Sequence, residues 1–140
     1  MPEYIASATA RGARAGHVRS DNGRLDLDLA VPEEFGGPGG AGTNPEELFA
    51  AGYSACFQGA LAVAGAKREI DTSASEVTAR VHLAPPDMTL SVELDVMIPG
   101  VDEETALKLA ESAHRVCPYS RATRDNIEVT LSARGSDSAA

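Results

Sequence analysis

The run Asn44-Pro45-Glu46-Glu47-Leu48-Phe49-Ala50-Ala51-Gly52-Tyr53-Ser54-Ala55-Cys56-Phe57 decides how this chain is read. It opens as a helix. Asn44 is a good N-cap, Pro45 suits the first helical position, and Glu47 two residues later completes a capping box. From Leu48 to Ala66 apolar residues fall on every face, which predicts a helix buried all round. Gly52 and Gly59, two turns apart, would let another backbone approach closely. Cys56, one of the chain's two cysteines, lies inside this helix.

Upstream, residues 3–10 and 14–20 have weak strand character. Arg24-Leu25-Asp26-Leu27-Asp28-Leu29 alternates and reads as a half-buried strand. The Asp21-Asn22-Gly23 turn joins it to 14–20 as a hairpin. The glycine-rich run 36–42 is a loop. Downstream, Val77, Ala79, Val81 and Leu83 share one strand face. Leu90, Val92, Leu94 and Val96 share a face of the next strand, after a Pro85-Pro86-Asp87 turn. A second helix has Asp102 as N-cap and Ala106, Leu109, Ala110, Ala113, Val116 and Cys117 on its buried face. Pro118 ends or kinks it. Asn126-Ile127-Glu128-Val129-Thr130-Leu131 is a last strand, and 134–140 reads as a frayed tail.

The order βββ-α-ββ-α-β is an α+β arrangement with mostly antiparallel sheet, in a single domain of residues 1–140. Six short strands and one other helix are too little to cover a helix that is apolar on all sides. A homodimer with the first helix near the interface is therefore expected.

Composition narrows the function. Hydrophobic residues make up 43% of the 140, enough for a core without staples. Aromatics are only 4% and Trp is absent, so that core must be Ala, Val and Leu. Twenty-one acids against twelve bases give a net charge of −9, which argues against nucleic acid and anionic membranes. Residues 1–20 lack a signal-peptide apolar run. Gln58, Gly59 and Lys67 interrupt or bound the longest apolar stretch, so no membrane span is expected. A cytoplasmic location follows, and there a paired cysteine is more often catalytic or transient than a permanent staple.

Cys56 and Cys117 stand on two core helices, which suits reversible thiol chemistry. A thiol is nucleophilic as thiolate, and apolar surroundings raise its pKa. Cys56 therefore needs a cation, with Arg11, Arg14 and Arg19 as candidates. A buried arginine needs a carboxylate in turn; Glu46 and Glu47 are nearest in sequence. Glu46 and Cys56 are ten residues apart, about 15 Å along one straight helix. An arginine that bridges both would take Glu46 from the other subunit. The ordinary readings stand beside these: free cysteines are usually inert packing, and Glu47 is a favourable first-turn acid. His114-x-x-Cys117 is too few ligands for zinc. His17, His82, His114 and Lys108 read as surface groups. No Ser-His-Asp order, phosphate loop or dinucleotide fingerprint is present, and no cofactor or metal is expected.

Gly42-Thr43-Asn44-Pro45-Glu46-Glu47-Leu48-Phe49-Ala50-Ala51-Gly52-Tyr53-Ser54-Ala55-Cys56-Phe57 closely resembles the first-cysteine motif of organic hydroperoxide resistance (Ohr) proteins of the Ohr/OsmC superfamily. Val116-Cys117-Pro118-Tyr119-Ser120-Arg121-Ala122-Thr123-Arg124-Asp125-Asn126-Ile127 resembles the second, and the likeness runs from about residue 5 to 133. The resemblance implies an OsmC-like fold, an intertwined homodimer and a thiol-dependent peroxidase for organic hydroperoxides. Cys56 would be the peroxidatic cysteine, Cys117 the resolving one and Glu46 the family's glutamate. The family's arginine sits in Gly-Gly-Arg-x-Gly; Gly12-Ala13-Arg14-Ala15-Gly16 aligns best, with Ala13 in place of a glycine. A dithiol, supplied by a lipoyl-bearing protein, would recycle the disulfide. Phe35, Leu48 and Phe49 are expected to line an apolar pocket beside the glycine-rich loop. Three alternatives remain: an OsmC-like peroxidase of broader range, a non-catalytic cysteine-pair redox sensor, and a purely structural disulfide.

Overall fold

The computed structural model describes residues 2–136. Strands β1 (Ala8–Arg11), β2 (His17–Ser20) and β3 (Asp26–Asp28) precede the long helix α1 (Pro45–Lys67). Strands β4 (Glu76–Ala84) and β5 (Thr89–Ile98), helices α2 (Glu103–Val116) and α3 (Pro118–Thr123), and strand β6 (Val129–Gly135) follow. The architecture is mixed α+β, with two three-stranded sheets ordered β1-β2-β3 and β4-β5-β6. The short helix α3 is an addition to the expected order. The chain divides into two compact units, with the boundary after Leu48, inside α1.

In the N-terminal unit, β1 pairs with β2 and β2 with β3, all antiparallel. The Asn22 side chain shapes the hairpin turn by accepting the Arg24 N–H at 2.9 Å and the Ser20 hydroxyl at 2.8 Å. The strand expected over 14–20 starts only at His17, because Ala13–Ala15 form a 3-10 turn. Alternation in Arg24–Leu29 does not make a half-buried strand. All of β3 is exposed, Leu27 included, and only Leu29 is buried, where it bridges to Thr43.

In the C-terminal unit, β4 and β5 pair antiparallel and β5 pairs with β6 in parallel. Val92, Leu94, Val96 and Ile98 form one buried face of β5 and share a core with Tyr53, Phe57 and Leu61 of α1 and Ala106, Leu109, Ala110 and Ala113 of α2. Burying each large side chain contributes roughly 1.5–3 kcal/mol, and the alanines let α2 lie close. Strand β6 begins at Val129, later than expected, and continues to Gly135, which pairs with Ile98. Arg134 and Gly135 thus belong to the sheet; positions 137–140 of the expected tail lie outside the described residues.

Within one chain, helix α1 is covered on one side only. Tyr53, Phe57, Ala60, Leu61, Ala64 and Gly65 are buried, while Ala51, Ala55, Gly59, Ala62, Val63 and Ala66 face outward uncovered. One chain supplies one layer, so only one side of the helix is covered. At 23 residues α1 is also long and apolar enough, by composition, to cross a bilayer; its aromatic side is instead the core of the C-terminal unit. Gly52 admits a side chain rather than a backbone: a Cβ there would lie 3.1 Å from the Tyr119 hydroxyl.

Helix α2 starts as expected, with the Thr105 N–H donating to Asp102 at 2.8 Å. Its end differs. Val116 is half exposed, Cys117 caps the helix, and Pro118 opens α3 as its first residue. Proline tolerates that position because its missing N–H would find no helical acceptor there.

Candidate active site

Helix packing brings the two sulfurs together. Cys56 Sγ and Cys117 Sγ are 3.6 Å apart, with the Cys117 thiol directed at Cys56. Both are free thiols, Cys56 partly and Cys117 fully buried. A disulfide needs about 2.05 Å, so an approach of about 1.5 Å closes the bond. Burial pushes the Cys56 thiol above its ordinary pKa, the neighbouring Cys117 adds to this, and a hydrogen bond from the Tyr119 backbone opposes it. Burial in the C-terminal unit therefore favours the thiol over the thiolate, and nearby positive charge would have the opposite effect. Phe49, Tyr53 and Tyr119 form an aromatic cluster with centroids 5.7–6.4 Å apart.

The N-terminal unit holds a paired guanidinium. Arg14 donates to both carboxylate oxygens of Glu46, at 2.7 and 3.2 Å. This bidentate geometry fixes the guanidinium plane, and the Glu46 bonds raise the Arg14 pKa further. The carboxylate that holds Arg14 belongs to its own chain. Arg14 rides on the 3-10 turn Ala13–Ala15, which folds back so tightly that a Cβ on Gly16 would sit 1.7 Å from the Arg11 carbonyl oxygen. Ala13, where the family pattern has glycine, adopts a left-handed φ of 54°. Glycine takes that conformation freely, whereas an L-residue is strained by about 1–2 kcal/mol.

The neighbouring groups separate by role. Glu47 is the capping acid: its N–H donates to Asn44 at 2.8 Å and its carboxylate accepts from the Thr43 hydroxyl at 2.7 Å. That second bond replaces the reciprocal half of the expected capping box. Arg19 pairs with Asp26 at 3.8 Å. His17 and His82 are exposed, as expected, but both are engaged: His17 bonds Asp26 and Asp28, and His82 bonds Glu93. Lys108 pairs with Glu104 one helical turn away. Phe35, expected in a pocket wall, is exposed at the end of a 3-10 turn.

His114 is not the surface group its helical position predicted. It is half buried, its Nδ1 lies 2.7 Å from the Ser120 hydroxyl, and burial together with nearby Arg124 lowers its pKa. Ser120 in turn meets the Tyr53 hydroxyl at 2.8 Å, and Tyr53 meets Thr123 at 3.2 Å. Sequence reasoning missed this network. The available signal was Tyr53 itself, since a tyrosine inside an apolar helix needs a partner for its hydroxyl.

Residues 37–132 match the sequence model of the OsmC-like protein family. The chain is 44% identical over 131 residues to the organic hydroperoxide resistance protein of Xanthomonas axonopodis pv. citri, covering 91% of this chain and 92% of that protein. It is 44% identical to organic hydroperoxide resistance protein OhrB of Bacillus subtilis over 135 residues, covering 94% and 98%. Among solved structures, an organic hydroperoxide resistance protein from Elizabethkingia anophelis superposes with a TM-score of 0.88 at 47% identity, over 96% of this chain and 99% of that one. Fold and cysteine motifs lead to one conclusion: this chain belongs to the OsmC-like family, among relatives named for resistance to organic hydroperoxides.

Proposed function

We propose that this protein is a thiol-dependent peroxidase that reduces organic hydroperoxides to alcohols. The observation that carries the reading is the pair of free thiols 3.6 Å apart, Cys117 buried and Cys56 partly so. The Cys56 thiolate attacks the distal peroxide oxygen, the O–O bond breaks, and the alkoxide leaves with a proton as alcohol. Cys56 is left as a sulfenic acid. Cys117 attacks that sulfur to form the Cys56–Cys117 disulfide. An external dithiol, which we assign to a lipoyl-bearing protein, restores both thiols by exchange. Arg14, held by Glu46, supplies the positive charge that Cys56 lacks and polarises the peroxide. The cluster of Phe49, Tyr53 and Tyr119 supports apolar peroxides over hydrogen peroxide.

The working form in this proposal is a homodimer. The uncovered α1 side with Ala51, Ala55, Gly59, Ala62 and Val63 supports it. Glu46 and Cys56 are about 15 Å apart along α1, so the Arg14–Glu46 pair of one subunit is assigned to the thiols of the other. Residues 1–140 act as one functional domain, since the family match runs across the boundary between units. Cytoplasmic location suits a disulfide that must be reduced every cycle.

The test is peroxide consumption with dihydrolipoamide, comparing tert-butyl hydroperoxide with hydrogen peroxide. Wild type should prefer the organic peroxide. Cys56→Ser should abolish turnover, and Cys117→Ser should stall after one equivalent. Organic peroxide consumption that persists in Cys56→Ser rejects the assignment.

A further inference from the structure

The buried network around Cys117 has one consistent arrangement of protons. The Thr123 hydroxyl donates to the Ser120 carbonyl at 3.2 Å. A hydroxyl has a single proton, so the Tyr53–Thr123 bond requires Tyr53 to donate. The Ser120–Tyr53 bond then requires Ser120 to donate, and the His114–Ser120 bond requires a proton on His114 Nδ1. The relay therefore runs His114 Nδ1–H to Ser120 Oγ–H to Tyr53 O–H to Thr123 Oγ–H to the Ser120 carbonyl. Tyr53 and Ser120 are fully buried and Thr123 nearly so. No buried side-chain polar atom among the described residues lacks a partner, so the relay is complete.

Its position is specific. His114 is three residues before Cys117 and Ser120 three after, so the relay straddles the junction of α2 and α3. Tyr53 is three residues before Cys56 on α1. One chain of hydrogen bonds ties the three helices that carry the two sulfurs. The Arg124 guanidinium adds a clamp, donating to the Arg115 carbonyl at the end of α2 at 3.2 Å.

We propose that the His114–Ser120–Tyr53–Thr123 relay positions Cys117 for attack on oxidised Cys56, which makes these four positioning residues for the disulfide-forming step. This rests on the peroxidase reading above. In that step the Cys117 thiol loses its proton and its sulfur attacks the Cys56 sulfur. The S–S bond forms, the S–O bond of the sulfenic acid breaks, and the departing hydroxide takes up the proton as water. Cys117 is oxidised and the sulfenic sulfur is reduced. The sulfurs have about 1.5 Å to travel, and a misplacement near 1 Å can slow such a step about a hundredfold. A junction held from both flanks limits that error.

The experiment is single-turnover oxidation with one equivalent of tert-butyl hydroperoxide, followed by rapid quench, dimedone trapping and mass spectrometry. Ser120→Ala should form the Cys56 sulfenic acid at a rate comparable to wild type. Its disulfide should appear at least about tenfold more slowly, and excess peroxide should drive Cys56 to sulfinic acid. Ser120→Thr, which keeps the hydroxyl, should restore fast closure. Nitrogen NMR of the reduced wild-type protein should show neutral His114 with its proton on Nδ1, a readout that needs no variant to fold. Wild-type closure rates in Ser120→Ala, or a His114 proton on Nε2, overturn the proposal. If wild type itself never yields a Cys56 sulfenic acid, the peroxidase reading fails and takes the proposal with it, an outcome distinguishable because it precedes any comparison of variants.

Discussion

Among the described residues, the unit that holds Cys56 and Cys117 buries fourteen hydrophobic side chains, whereas the unit that holds Arg14 and Glu46 buries one, Leu29. The sulfurs are fixed by helices that pack on each other and on a sheet. Their separation is a consequence of core geometry, and changing it means repacking the core. The arginine is fixed by a two-bond ion pair on a tight turn, with its side chain about half exposed. Exposed ion pairs contribute about 0–1 kcal/mol, so this pair orients a charge more than it stabilises a fold. In the proposed mechanism the reactive sulfur would sit in the well-buried unit and the activating charge in the sparsely buried one.

The strongest way to break this contrast is to truncate a leucine in each unit. Leu109→Ala, in the core with α1, should cost about 2–5 kcal/mol in urea unfolding. Leu27→Ala, on exposed β3, should stay within about 0.5 kcal/mol. Equal losses at the two sites would mean that the N-terminal unit has a core of its own.

Activity should respond in the opposite sense. Arg14→Ala should lower the second-order rate with tert-butyl hydroperoxide about a hundredfold with little change in stability. Arg14→Lys should recover only part of it, because an ammonium cannot reproduce the bidentate fork on Glu46. Arg19→Ala, which leaves that fork intact, should be close to wild type. A larger loss in Arg19→Ala than in Arg14→Ala would move the activating role to the other arginine.

A smaller effect tests the turn that carries Arg14. Ala13→Gly relieves the left-handed strain but adds unfolded-state freedom, so stability should rise by at most about 1 kcal/mol. A destabilisation measured by thermal melting would show that the Ala13 conformation is not strained.

The smallest effect is in pH dependence. His17 lies between Asp28 and Asp26, whose hydrogen bonds raise its pKa. Its contribution to stability is present below the ordinary histidine pKa and is lost as pH rises through the raised folded value. His114 is shifted the other way by burial, so its contribution is present above the ordinary value and is lost as pH falls through the lowered one. Proton NMR titration should therefore give a higher midpoint for His17 than for His114; the reverse order contradicts both environments.

Much of this was readable in the chain. Asn44 and Asp102 announced their helices because an N-cap is a contact over three residues. Val77 to Leu83 and Leu90 to Val96 announced strands because alternation is local. The same rule overreached at Arg24–Leu29, where alternation was present but nothing in the described structure buries Leu27. Helix α3 was hidden because six residues that begin with a proline carry no periodic signal. His114 was misplaced because its partner, Ser120, lies beyond the helix end on an element the periodicity did not reveal.

By itself, the sequence determined which segments are helix or strand, that each cysteine stands on or at the end of a helix, and which motifs surround them. Those properties depend on residues a few positions apart, which local sterics and hydrogen bonding govern. Only the tertiary structure decided that the sulfurs lie 3.6 Å apart across 61 positions, that Arg14 rather than Arg19 holds Glu46 across 32, and that a tyrosine, a serine and a histidine share one buried relay. Such contacts are closed by the packing of whole elements, and no single stretch of chain carries their distances.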